Sequence, residues 1–152
     1  VFAGVNGSAI ENFSCVIYNI SLMNCTWQAG RGAPGDTQYF LYWKNLIDKD
    51  AVECELYIKD ENGRNTGCRF QNVIIGNEES YFLVNGSSKD SPIQFYDEYI
   101  KLYEIEILTP PLNVTANCPG GSAGCIITWQ PPLISHVESV QCFQYDLIIQ
   151  NK

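Results

Sequence analysis

The sequence predicts an all-β protein made of antiparallel β-sandwiches, one complete and a second incomplete. Three observations carry that prediction. Apolar residues recur at every second position in short runs, the spacing of strands with one buried face. Clusters of Gly, Pro, Asn and Asp separate the runs, as turns require. No stretch combines a helical apolar period with end caps.

The elements follow in order. Within ENFSCVIYNISLMNCTWQAG, residues 11–30, Phe13, Cys15 and Ile17 share one face, and Met23, Cys25 and Trp27 share one face of the next strand. Two such strands facing each other bring the cysteines together on their buried sides, with Trp27 packed nearby. TQYFLYWK (37–44) reads as a third strand whose aromatics serve core and face packing, with Phe40 and Tyr42 on a side that can meet a partner. In AVECELYIK (51–59), Val52, Cys54, Leu56 and Ile58 alternate with Glu53, Glu55, Tyr57 and Lys59, which describes one half-buried strand. ENGRNTG (61–67) signals a hairpin, Asn62-Gly63 suiting a tight turn, and suggests Cys54 beside Cys68. Sequential pairing, Cys15 with Cys25 and Cys54 with Cys68, is one of several connectivities the cysteines allow. Each such loop contributes about 2–4 kcal/mol.

Further strands are expected at 80–85 and 93–107. LTPPLNV (108–114) marks a boundary, because Pro110-Pro111 is stiff and cannot join a central ladder. Beyond it Leu112, Val114, Ala116 and Cys118 alternate with polar residues, Ile127 and Trp129 share a face, and Phe143, Tyr145, Leu147 and Ile149 align. About three strands are too few to close a sandwich of ~100 residues, so the second domain reads as cut short.

Composition fixes the compartment. Six Asn-x-Ser/Thr sequons, at Asn6, Asn12, Asn19, Asn24, Asn85 and Asn113, stand beside seven cysteines. Together they argue for a secreted or cell-surface protein made in an oxidising lumen, with glycans pointing outward. A net charge of −8 with nine basic residues, none clustered, speaks against nucleic-acid binding. No apolar run is long enough to span a bilayer. VFAGVNGSA lacks the basic start and apolar core of a signal peptide, so a mature fragment or cut ectodomain is expected. Catalysis has little support: the single histidine, His136, has no acid partner in sequence. Asp60-Glu61-Asn62-Gly63 lacks the later ligands of a calcium loop and reads as a turn, and cysteines paired as disulfides leave no zinc constellation. Neither a cofactor nor a metal is expected.

The pattern C-x9-C-x-W at Cys15, Cys25 and Trp27, followed by Cys54 and Cys68, resembles the cytokine-binding module of class I cytokine receptors. NFSCVIYN, LMNCTW, QYFLY, YFLVNG, IQF, PPLNVTANC, IEILTPP and Gly67-Cys68-Arg69-Phe70 narrow the resemblance to the α chains that share a β chain, over roughly residues 11–150. The resemblance implies fibronectin type III-like sandwiches: a linker from an N-terminal domain at 1–10, a first module domain with two disulfides at 11–108, and part of a second at 109–152. It implies a further disulfide between Cys118 and Cys125, which leaves Cys142 either unpaired, joined elsewhere or a buried thiol. The implied function is capture of one four-helix cytokine at the elbow between the module domains, followed by recruitment of a shared signalling β chain. Granulocyte–macrophage colony-stimulating factor is the first choice of cytokine and interleukin-3 the second. The Trp-Ser-x-Trp-Ser motif of the family is absent from these residues. The place of action is the cell surface, as the extracellular portion of a receptor, with a soluble decoy or a fibronectin-type adhesion module as alternatives.

Two loops are candidates for ligand contact. In NVIIGNEE (72–79), Val73, Ile74 and Ile75 are hydrophobes in a loop, which form either an exposed patch for a partner or ordinary core. Ile134 and His136 lie in the loop after Trp129, where the resemblance places ligand contacts. Glu78, Glu79 and Asp90 are solvated charges or steer a basic partner.

Overall fold

The computed structural model describes residues 3–45, 50–121, 124–134 and 143–150. The chain divides into two compact units, Val1–Ile107 and Leu108–Lys152.

The first unit is a sandwich of two four-stranded antiparallel sheets. Strands β1 (Glu11–Tyr18), β2 (Leu22–Gln28), β3 (Gln38–Asn45), β4 (Val52–Glu53), β5 (Leu56–Lys59), β6 (Asn65–Phe70), β7 (Glu79–Ser87) and β8 (Tyr96–Lys101) follow in chain order. One sheet runs β1-β2-β6-β5 and the other β4-β3-β7-β8. Alternation does the sorting. Cys15, Ile17, Met23, Cys25, Trp27, Tyr39, Leu41, Cys68, Phe70, Phe82 and Val84 all turn inward and are buried. Removing such a side chain from water contributes about 1.5–3 kcal/mol each. Asn65 is one of four buried polar residues among those described. Its Nδ2 donates to Tyr39 O at 2.8 Å, and its carbonyl accepts from Trp27 Nε1 at 2.9 Å, so one residue ties the two sheets together.

Cys15 faces Cys25 in register across β1 and β2, and the two are bonded. Cys68 lies beside Cys25 on β6 and is bonded to Cys54. The structure departs from the single strand expected at 51–59. Val52–Glu53 pair with β3 in one sheet, and Leu56–Lys59 pair with β6 in the other. The chain crosses between sheets at Cys54, whose N–H donates to Leu41 O while its sulfur reaches β6. Both pieces are edge strands, so Val52 (49% exposed) and Leu56 (50%) are not core. The hairpin after β5 forms, closed by a loop of residues 60–64 rather than a two-residue turn. Asp60 Oδ1 accepts the N–H groups of Asn62 and Arg64, and Gly63 supplies the positive φ.

The strand expected at 93–107 is shorter than the pattern suggested. It spans 96–101 and gives way to a single 3₁₀ turn, which drops Leu102 into the core. The following residues return along β1, where Ile17 and Ile105–Ile107 exchange backbone hydrogen bonds. Residues 5–10, expected to be linker, are built into this unit. Val5 bridges Ile93, and Ser8 and Ile10 are buried.

In the second unit β9 (Leu112–Asn117) pairs antiparallel with β10 (Ile126–Gln130), and Cys118–Cys125 closes the connection. Trp129 meets Tyr145 at 5.3 Å between ring centroids. Residues 143–150, expected to form a strand, pair with no other strand among the described residues.

Candidate ligand-binding loops

The loop between β6 and β7, residues 71–78, separates the three hydrophobes proposed from sequence. Val73 is 4% exposed and its N–H donates to Ser21 O at 2.9 Å. It anchors the loop to the β1–β2 turn as core, which corrects its reading as a ligand contact. Asn72 has a φ of 58°, a conformation asparagine tolerates. Ile74 then stands 80% exposed, while Ile75 is half-buried against the core. Glu78 and Glu79 are exposed.

Beside Ile74 lies a cleft of about 220 Å³ lined by Trp43, Asn45, Asp50, Val52, Asn72 and Ile74. Trp43 forms its floor, stacked on Phe82 at 6.3 Å and edge-on to Phe70 at 5.5 Å. Val52 belongs to the site only because the chain changes sheets after it. Sequence reasoning missed Trp43, Val52 and Asn72. The one available signal was the edge character of 51–53, which its strict alternation concealed.

Burial pushes the Tyr57 hydroxyl up to about 12, against the opposing effect of the Leu41 N–H donated to it, and Glu53 pushes it the same way. Burial and the bond to Asp97 likewise push Tyr81 up to about 12. Asp36 is held below its ordinary value, first by the Lys89 N–H and then by the Ser88 hydroxyl. Each shift moves the group away from neutrality. No group of three or more metal-ligating side chains gathers among the described residues.

Residues 12–105 match the family model described as "Interleukin-6 receptor alpha chain, binding". The human interleukin-5 receptor subunit alpha is 37% identical over 97% of this chain and 37% of its own length. The mouse granulocyte-macrophage colony-stimulating factor receptor subunit alpha is 31% identical over 95% of this chain and 36% of its own. The human interleukin-13 receptor subunit alpha-2 is 32% identical over 97% and 38%. The chain belongs to the class I cytokine-receptor α chains of the shared-β type. It spans less than two fifths of the length of these relatives. These relatives are named as receptor subunits.

For such a receptor chain the remaining candidates fall as follows. Ile134 is half-buried at the end of residues 131–134, next to Leu133, whose carbonyl accepts from Thr109 Oγ1 at 3.4 Å. His136 and Cys142 lie outside the described residues. Asn6 and Asn19 are exposed in turns. Asn12 and Asn113 are exposed at strand bulges with φ of 55° and 51°. Their Nδ2 atoms donate to Gln28 Oε1 at 2.8 Å and Gln130 Oε1 at 2.7 Å respectively. Asn24 and Asn85 are half-buried on β2 and β7. Phe40 and Tyr42 are half-buried, Phe40 meeting Tyr57 edge-on at 6.4 Å. No described helix is long and apolar enough to cross a membrane.

Proposed function

We propose that the chain is the extracellular cytokine-binding portion of a cell-surface receptor subunit, which captures a four-helix cytokine through its loops and assembles with a shared signalling β chain. The observation that carries this reading is identity of 37% along nearly the whole chain to a subunit named for interleukin-5 binding, within a family named for binding. On the first unit, Ile74 over the Trp43 cleft is the anchor: an exposed hydrophobe on a disulfide-braced support needs little ordering when a partner arrives. On the second unit, Ile134 and His136 are separate contact candidates, supported by the resemblance of the sequence. The resemblance of QYFLY and YFLVNG favours granulocyte–macrophage colony-stimulating factor, with interleukin-3 next, and the identity to the interleukin-5 subunit supports adding interleukin-5 to the candidates.

The test is surface binding of an ectodomain carrying this chain to those three cytokines from the matching species. Saturable binding to one alone fixes the ligand. Silence from all three, with the protein folded and its disulfides closed, overturns the reading and favours an adhesion module.

A further inference from the structure

Of the six sequons, the one at Asn6-Gly7-Ser8 is built into the fold in a way that closes it. A sequon requires Ser or Thr two residues after the asparagine, and the group those two share is the hydroxyl that the transferase must read. Ser8 is 0% exposed. Its Oγ donates to Val5 O at 2.5 Å and accepts the Gln94 N–H at 2.9 Å. Its own N–H donates to Val5 O, and its carbonyl accepts the Tyr39 hydroxyl at 2.6 Å. Every polar group of Ser8 is therefore engaged. The segment around it is fastened as well. Val5 N–H donates to Pro92 O, Gly32 N–H donates to Gly7 O, and a Cβ on Gly30 or Gly32 would collide with its backbone. Asn6 itself remains exposed, so a glycan there fits the folded molecule.

We infer that Asn6 is a glycosylation site open before residues 5–10 dock, and that folding closes it except during local opening. In the transfer, Asn6 Nδ2 attacks the anomeric carbon of a lipid diphosphate-linked oligosaccharide. The new C–N bond forms as the C–O bond to the diphosphate breaks, the amide proton leaves to a base on the transferase, and the lipid diphosphate departs. Gln94, which engages the Ser8 hydroxyl, lies 86 residues further along the chain. Modification at Asn6 is thus a race between the transferase and the arrival of that segment. The product is a mixture of glycosylated and bare molecules that later exposure to the transferase corrects only slowly. Asn19, itself exposed in the turn between β1 and β2 and followed by a Ser21 that is only half-buried, is the internal reference.

The experiment offers unglycosylated protein, either folded with its disulfides closed or reduced and unfolded, to a purified oligosaccharyltransferase and a lipid-linked oligosaccharide donor. Occupancy at Asn6 and Asn19 is read by glycopeptide mass spectrometry. Modification of Asn6 is expected to be at least about tenfold faster in the unfolded chain, because transfer to the folded protein must wait for local opening. The change at Asn19 is expected to be small. Tyr39→Phe, which deletes the hydroxyl holding Ser8 O and keeps the ring, should raise the rate at Asn6 in the folded protein. Equal rates at Asn6 in both states overturn the inference, as does failure of Asn6 to react in either. Suppression at Asn19 as deep as at Asn6 also overturns it, since folding in general, not the buried serine, would then be the cause.

Discussion

At Asn12 and Asn113 the backbone itself asks for asparagine. Both sit in the left-handed region at a bulge, and both are held by a glutamine on the paired strand. Replacing Asn12 with Gln puts a longer side chain in that region and loses the bond to Gln28, at a cost of about 1 kcal/mol. Ser14→Ala removes the same sequon at an exposed position and should stay within about 0.5 kcal/mol of wild type. Urea unfolding of unglycosylated protein separates the two, and equal stabilities would show that the backbone argument fails. The sequence could not announce this difference: Asn24 carries the same motif on regular strand, and only the register shift in β1 distinguishes Asn12. Tyr57 makes a prediction at the same scale. Its pKa is raised in the folded state, so its contribution is present below the ordinary tyrosine value of about 10 and disappears as pH climbs through about 12. Alkaline unfolding should therefore be steeper for wild type than for Tyr57→Phe across that window. Parallel pH profiles would refute the assignment. At neutral pH the variant should lose about 1 kcal/mol, because the Leu41 N–H gives up its acceptor.

Among the elements, the crossing at Cys54 decides how the two sheets are joined. Cys15–Cys25 links neighbouring strands of one sheet, whereas Cys54–Cys68 ties the edge beside β3 to β6 of the other. Replacing both Cys54 and Cys68 with Ala should cost about 3 kcal/mol, by the chain-entropy estimate for a loop of about 15 residues. It should also release the Cys54 N–H from Leu41 O, visible as faster amide exchange there. A Cys54 amide as protected as before would mean that the disulfide does not hold the crossing. This element also marks the limit of what periodicity conveys. β1, β2, β3 and β7 were legible because each keeps one inward face along its length. Residues 51–59 alternate just as cleanly, yet the alternation spans two edge strands in different sheets. Residues 5–10 were illegible for another reason: they have no apolar period, and the groups that fasten them, Tyr39 and Gln94, are far away in sequence. Of the loop 71–78, the hydrophobic character was legible and the division of labour was not, because the bond that seats Val73 in the core goes to Ser21, far away in sequence.

For the whole molecule, that division allows stability and recognition to be altered separately. Val73 is bonded into the core and Ile74 is offered to solvent, although they are adjacent and chemically alike. Val73→Ala should lower unfolding free energy by about 1–3 kcal/mol while leaving cytokine affinity of the folded receptor nearly unchanged. Ile74→Asp should do the reverse, leaving stability within about 0.5 kcal/mol and weakening binding at least about tenfold, the loss expected of an interface anchor. With a net charge of −8 the chain already repels acidic partners, so the added carboxylate acts mainly by placing an unpaired charge where a hydrophobe docks. Denaturant unfolding of both variants, followed by surface binding to the cognate cytokine, gives the four numbers needed. If Ile74→Asp binds as wild type does, the loop 71–78 is not a contact surface, and the ligand must be held by other segments of the receptor.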